Sequence, residues 1–145
     1  MATFNKVNDF VLNAVHNMDL ASDQVVVALS NTAPGSESPN PATDGNGILA
    51  NVTQVSYTNL SSRSVTTSSS TQTSGTYKLV LADITLTSSG GSTGPFRYVY
   101  IYDDTVTSPA DPLIGYYDYG SSLTLNDGDS LTVDFSAANG VLQIA

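Results

Sequence analysis

The chain has 145 residues, no cysteine and a formal net charge of -9, with 13 acidic residues against four lysines and arginines. One domain of this size buries enough surface to fold without staples. The missing thiols exclude a disulfide framework and a thiolate metal site. With only Lys6, Arg63, Lys78 and Arg97 as cations, the chain lacks the basic footprint that nucleic-acid binding and docking on anionic lipid require.

No run of about 18 apolar residues is present, so no transmembrane helix is expected. The N-terminal residues lack a charged segment followed by an apolar one, so no secretory signal is expected either. The sequence therefore reads as one made in a cytoplasm. Asn51-Val52-Thr53 and Asn59-Leu60-Ser61 match the glycosylation sequon, which carries no weight without secretion.

Residues 4–18 carry a helical stripe. Phe4, Val7, Val11, Ala14, Val15 and Met18 recur at helical spacing, Phe10 widens the face, and Asn5, Lys6, Asn8, Asp9 and Asn13 are left for water. Thr3 is the expected N-cap and Asn17 and Asp19 the terminators. The sole histidine, His16, falls near the C-terminal end, where an imidazolium suits the helix dipole. With no second histidine or cysteine beside it, it reads as a surface residue rather than a catalytic one.

Residues 23–145 read as β-structure. Residues 23–30 form a strand with Val25, Val27 and Leu29 on one side and Val26 and Ala28 on the other. Residues 31–47 form a long loop rich in proline and glycine, a length that marks a functional or mobile segment. Glu37, Asp44 and Asn46 are its candidate calcium ligands, but calcium-loop spacing is absent, so a solvated loop is expected. Residues 48–57 fit a helical turn or a strand about equally. Residues 63–70, rich in serine and threonine, suit a polar edge strand before the Ser74-Gly75 turn.

Residues 77–87 read as one strand with Val80, Ala82, Ile84 and Leu86 on one side and Leu79 and Leu81 on the other. The clearest signal is Phe96 to Asp103. Phe96, Tyr98, Tyr100 and Tyr102 alternate with Arg97, Val99, Ile101 and Asp103, so this strand is expected at the centre of a sheet, covered on both faces. Its aliphatic side suits a core. Its tyrosine side suits ordinary half-buried sheet packing, a second layer or another chain. Residues 113–119 and 121–125 add strands. Residues 121–125 and 131–135, joined by Asn126-Asp127-Gly128-Asp129, read as a hairpin whose tip is a tight turn rather than a metal loop. Asn139-Gly140 turns into a last strand at 141–144. The fold class expected is mainly β, a jelly-roll-like β-sandwich with one N-terminal amphipathic helix.

No catalytic, cofactor-binding or metal-binding residue stands out. Asp103, Asp104, Asp111, Asp127 and Asp129 fall at expected strand ends and turns, where aspartate caps or solvates. Asp118, inside a tyrosine-rich strand, is the one carboxylate placed for acid–base work, which needs a partner. No enzymatic activity is expected.

Several segments do resemble a known group. SGTYKLVLADI (residues 74–84), GPFRYV (94–99), DPLIGYYDYG (111–120) and the NGVL ending (139–142), with FNKVNDFV (4–11) and VALSNTAP (27–34), look like small structural proteins of tailed bacteriophages, in particular capsid decoration, or cement, proteins. The resemblance spans nearly the whole chain and is one of pattern rather than of a catalytic motif. It implies a mostly β domain, assembly as homotrimers on the outer surface of the virion, the major capsid protein as partner, no cofactor and no catalysis. On that basis the helix, the N-terminal residues and loop 31–47 are expected to meet the capsid, and Tyr98, Tyr100 and Tyr116 to serve core or trimer packing. A tail- or fibre-associated module that binds glycans through exposed tyrosines is the alternative, and a carbohydrate-active enzyme relying on Asp118 a third.

Overall fold

The computed structural model describes residues 2–43 and 47–145. The structure is mainly β, with antiparallel pairing throughout. Its strands are β1 (Thr3–Lys6), β2 (Val25–Ser30), β3 (Ser64–Val65), β4 (Thr67–Thr73), β5 (Thr76–Leu81), β6 (Ile84–Thr87), β7 (Thr93–Asp103), β8 (Leu113–Leu125), β9 (Ser130–Val133) and β10 (Leu142–Ile144), with one helix, α1 (Phe10–His16). A five-stranded sheet runs in the order β1-β8-β7-β2-β3, beside a three-stranded sheet β10-β5-β4 and a two-stranded sheet β6-β9.

The strand with the strongest alternation sits where its pattern places it. β7 is the middle strand of the large sheet, between β8 and β2, and both its faces are covered. Val99 and Ile101 point into a core shared with Val25, Val27 and Leu29 of β2 and with Leu79, Leu81, Leu86, Val133 and Leu142 of the two smaller sheets. Tyr98, Tyr100 and Tyr102 point the other way, onto a second cluster with Val26, Ala28, Val52 and Leu113. Phe96 departs from this alternation and joins the aliphatic core. The pairing with β8 slips between Phe96 and Tyr98, whose partners are Leu123 and Asp118, and such an irregularity re-aims the side chains beyond it.

Other expectations are corrected in the same terms. Residues 4–18 are not one helix. β1 takes Thr3–Lys6 and pairs with β8, and the helix is only the seven residues Phe10–His16. The stripe at helical spacing is divided: Val7 enters the tyrosine-side cluster, whereas Phe10 enters the main core. Three asparagines and an aspartate among residues 5–13 hold little helix propensity against the edge of β8. Asp9, not Thr3, occupies the N-cap position, and its carboxylate makes no cap; it accepts the Gly47 N–H at 2.8 Å instead.

Residues 77–87 are two strands in different sheets. Leu79 and Leu81 face the core from β5, but Leu86 faces it from β6. The inward parity switches at Ala82-Asp83, where the Asp83 carboxylate accepts the Phe135 N–H at 2.8 Å. The expected hairpin at 121–135 has its turn but not its pairing. Asp129 N–H bonds back to the Asn126 carbonyl at 2.9 Å, yet β8 continues beside β7 and β9 pairs with β6. Asn126 to Asp129 thus forms a corner between sheets. The Ser74-Gly75 hairpin is as expected: both residues have positive φ, 51° and 84°, as a two-residue turn with strand-matching twist requires.

Gly115 shows what the close approach of β1 demands. It pairs with Lys6 and Ile101, and the Phe4 ring lies over it so tightly that a Cβ there would collide with Phe4 and with the Asn5 carbonyl oxygen. The Phe4 ring also packs on Tyr117 at 5.3 Å between centroids. Gly115→Ala should therefore destabilise the protein by about 1–3 kcal/mol through overpacking. Urea denaturation checks this, and an unchanged midpoint would contradict the packing.

Candidate functional site

The tyrosine face is built into the protein rather than offered outward. The segment between β2 and β3 folds over it, with Ala33 and Leu49 packing on the cluster. Within this cover lie two short 3-10 turns, Pro34–Ser36 and Leu49–Asn51. They resolve the ambiguity at 48–57, which forms neither a full helix nor a strand of the main sheets. The Glu37 carboxylate ties the cover together by accepting the Thr53 N–H at 2.6 Å. Asp44 and Asn46, the other two candidate calcium ligands, lie outside the described residues. Among the described residues no three His, Cys, Asp or Glu side chains gather as metal ligands.

Beneath the cover, Tyr116 meets Tyr98 edge-on at 6.3 Å and Tyr100 at 5.3 Å. None of the eight tyrosines is fully exposed. Tyr98, Tyr100, Tyr102 and Tyr117 are buried, and Tyr57, Tyr77, Tyr116 and Tyr119 half-buried. Tyr57 works as a bracket: its hydroxyl accepts the Leu29 N–H at 2.9 Å and donates to Gln54 at 2.8 Å, and the Arg63 guanidinium lies 3.8 Å over its ring. The Tyr100 hydroxyl, fully buried, has no hydrogen-bond partner among the described residues. Burial first, and the nearby Glu37 second, raise its pKa.

Asp118 is held in an ion pair. Arg97 on β7 donates to both its carboxylate oxygens, at 2.6 and 2.9 Å, and the Gly120 N–H adds a third bond at 2.8 Å. These contacts, the Arg97 bond first, hold the carboxyl below its usual range. It is therefore an ionised acceptor near neutral pH, with no proton to give. The turn aspartates are occupied similarly: Asp127 accepts the Gly90 N–H at 2.9 Å and Asp129 the Asn126 N–H at 3.0 Å. His16 is exposed in the last turn of α1.

What the protein does offer outward is apolar. Among the described residues the large exposed hydrophobics are Val11 (52%), Leu12 (56%) and Val15 (78%) on α1 and Ile144 (46%) on β10. Helix α1 buries Phe10 and Asn13 and turns the stripe residues Val11 and Val15 to the outside. Beside them, Val15, Ala14, Met18 and Leu20 form one wall of an open groove of about 350 Å³, and Tyr77 and Ile144 line it with them. Asp19 sits at its edge, its carboxyl held below the usual range by the Ser22 hydroxyl and the Ala21 N–H. The helical stripe in the sequence contained Val11 and Val15, and the helix was among the segments expected to meet a partner.

No protein family, curated protein or solved structure matches this chain.

Two expectations follow from the buried groups. The side chains of Arg97 and Asp118 are 37% and 35% exposed, so a double-mutant cycle with Arg97→Met and Asp118→Asn should give only a small, salt-screened coupling. Because the folded-state pKa of Asp118 is lowered, that coupling should be complete above pH 3.8 and fade as pH falls through the lower folded value. Tyr100→Phe removes a buried hydroxyl that lacks a partner, so thermal denaturation should show a protein equal in stability to the parent or better by about 1 kcal/mol. A clear loss would mean that the hydroxyl is bonded.

Proposed function

We propose that this chain is a bacteriophage head decoration protein that docks on the outer surface of the major capsid lattice and stabilises the shell. The observation that carries the reading is the apolar face of α1, where Val11, Leu12 and Val15 stand exposed beside the groove that ends at Ile144. Three large apolar side chains on one short helix are stable in water only at a cost, and a contiguous patch of this kind marks a contact surface. The N-terminal segment, already expected to meet the shell, supplies it.

Charge and architecture support the same reading. A net charge of -9 suits the outside of a shell better than its DNA-filled interior. The five-stranded sheet packed against two smaller ones through a shared core supports a sandwich of the jelly-roll kind. Tyr98 and Tyr100 are buried within one chain, so in this reading they serve the core. Trimer contacts fall to the remaining surface, and Ala33, Leu49 and Val52 of the cover are engaged on the tyrosine face. The same burial counts against the glycan-binding alternative, which needs ring faces open to sugar.

The test is side-chain-resolution electron cryo-microscopy of the virion, joined to binding of the purified protein to undecorated heads. Density for trimers on the outer surface, with α1 against capsid subunits, is the expected outcome. Val15→Asp should weaken binding to heads by about tenfold or more while leaving thermal stability unchanged or raised, because Val15 is 78% exposed. Density confined to the tail, or a variant that binds as the parent does, would overturn the reading.

A further inference from the structure

At the far end of β7 a carboxyl group is buried without room for its charge. Asp103 is 0% exposed. Its Oδ1 accepts the backbone N–H groups of Thr105 at 2.9 Å and Val106 at 3.2 Å. These bonds close the turn that follows the strand. Oδ2 has no hydrogen-bond donor among the described residues.

What stands beside it is another acid. The turn that carries Asp23 is laced to this end of β7, and the Asp23 carboxyl acts on Asp103 to raise its pKa. Asp23 belongs to the turn before β2 and is itself positioned, its Oδ2 accepting the Asp19 N–H at 2.7 Å. The two segments are laced together on either side of this meeting. Gln24 N–H donates to the Thr105 hydroxyl oxygen at 2.8 Å, and Asp104 N–H donates to the Gln24 carbonyl at 2.8 Å. The backbone thus fixes the separation of the two acids.

Ionised carboxylates only accept, so these two bond only when one of them carries a proton. Two like charges held this close, one of them buried, do not both ionise near their ordinary pKa. Among the described residues no cation acts on Asp103. Arg63 is occupied over the Tyr57 ring and at the Val27 carbonyl. The other charged groups at this end, Asp104 and Asp111, act on Tyr102 and add only negative charge.

We propose that Asp23 and Asp103 share one proton, in a carboxyl–carboxylate bond that clasps the turn before β2 to the end of β7 and makes this end of the protein sensitive to pH. Burial first, and Asp23 second, push the Asp103 carboxyl up to about 6 from an ordinary 3.8. The folded protein therefore keeps a proton that the unfolded chain has already lost between those values. The clasp contributes fully below the unfolded value, and its contribution is lost as pH rises through the folded one. Above that point both groups are charged and repel. An open groove of about 330 Å³, lined by Asn17, Asp23, Thr105 and Val106, brings water to the Asp23 side, where the proton can exchange.

The test follows the stability of the full chain by chemical denaturation from about pH 4 to 8, for the parent, Asp103→Asn and Asp23→Asn. An asparagine at 103 keeps the Oδ1 acceptor and offers a permanent N–H donor to Asp23. The parent should lose on the order of tenfold to a hundredfold in its folding equilibrium constant, relative to Asp103→Asn, across that range. Asp23→Asn should flatten the profile only in part, because burial, the larger cause of the raised Asp103 pKa, remains. Carboxyl-carbon NMR should give Asp103 a titration midpoint near 6. Parallel profiles for the parent and both variants would overturn the proposal. So would an ordinary Asp103 midpoint, or removal of the parent's slope by millimolar calcium chloride, which would put a cation in place of the proton.

Discussion

β7 can hold its place at the centre of the large sheet only because both its faces are covered. Its backbone bonds are shared with β8 on one side and β2 on the other, so it has no edge to expose. From Tyr98 to Asp103 every residue of it is buried. Burying a large apolar side chain contributes roughly 1.5–3 kcal/mol, and here the contributions come alternately from two different clusters. One is the shared core of the three sheets; the other is closed by the chain's own connection between β2 and β3. That second cover explains why a long segment rich in proline and glycine is retained in a small domain. It is the lid of a second core.

The alternation that fixes β7 was plain in the sequence because tyrosine and β-branched residues repeat at period two without interruption from Tyr98 onward. The same holds for β2, whose two faces divide as their residues suggest. The Ser74-Gly75 turn was equally legible, since it needs residues that tolerate positive φ. What the sequence did not display was pairing. Leu123 and Leu125 fit a hairpin with Leu131 and Val133 by local pattern, yet they extend β8 beside β7. Local pattern specifies strand and face; which strand lies alongside depends on contacts distant in sequence. The break at Ala82-Asp83 is of the same kind, because an apolar run cannot announce that its two halves serve different sheets.

The N-terminus failed for a different reason. Phe4, Val7 and Phe10 fit helical spacing, but spacing cannot distinguish one buried face from two separate burials joined by a change of conformation. The backbone of residues 3–6 gains ladder bonds along β8, and the Phe4 ring gains the contact over Gly115. A longer helix would have left that strand edge unpaired. The cost of this solution appears two turns later, where Val11, Leu12 and Val15 have no core left to enter. The candidate surface is thus a direct consequence of how the edge of β8 is covered.

A patch of this size sets the kind of partner that fits it. Three valine and leucine side chains and an edge isoleucine cannot by themselves form a tight isolated complex, because association first consumes several kcal/mol of lost translational and rotational freedom. Such a patch becomes effective when the second and third copies bind with the first already in place, since linked contacts act through effective concentration rather than area. A symmetric shell offers that arrangement, with equivalent sites at fixed spacing. A free, soluble partner does not. On the proposed reading, the modest extent of the apolar face is matched to a repetitive surface rather than a single receptor. It also lets the unbound protein carry those side chains in water, where a larger patch would drive self-association.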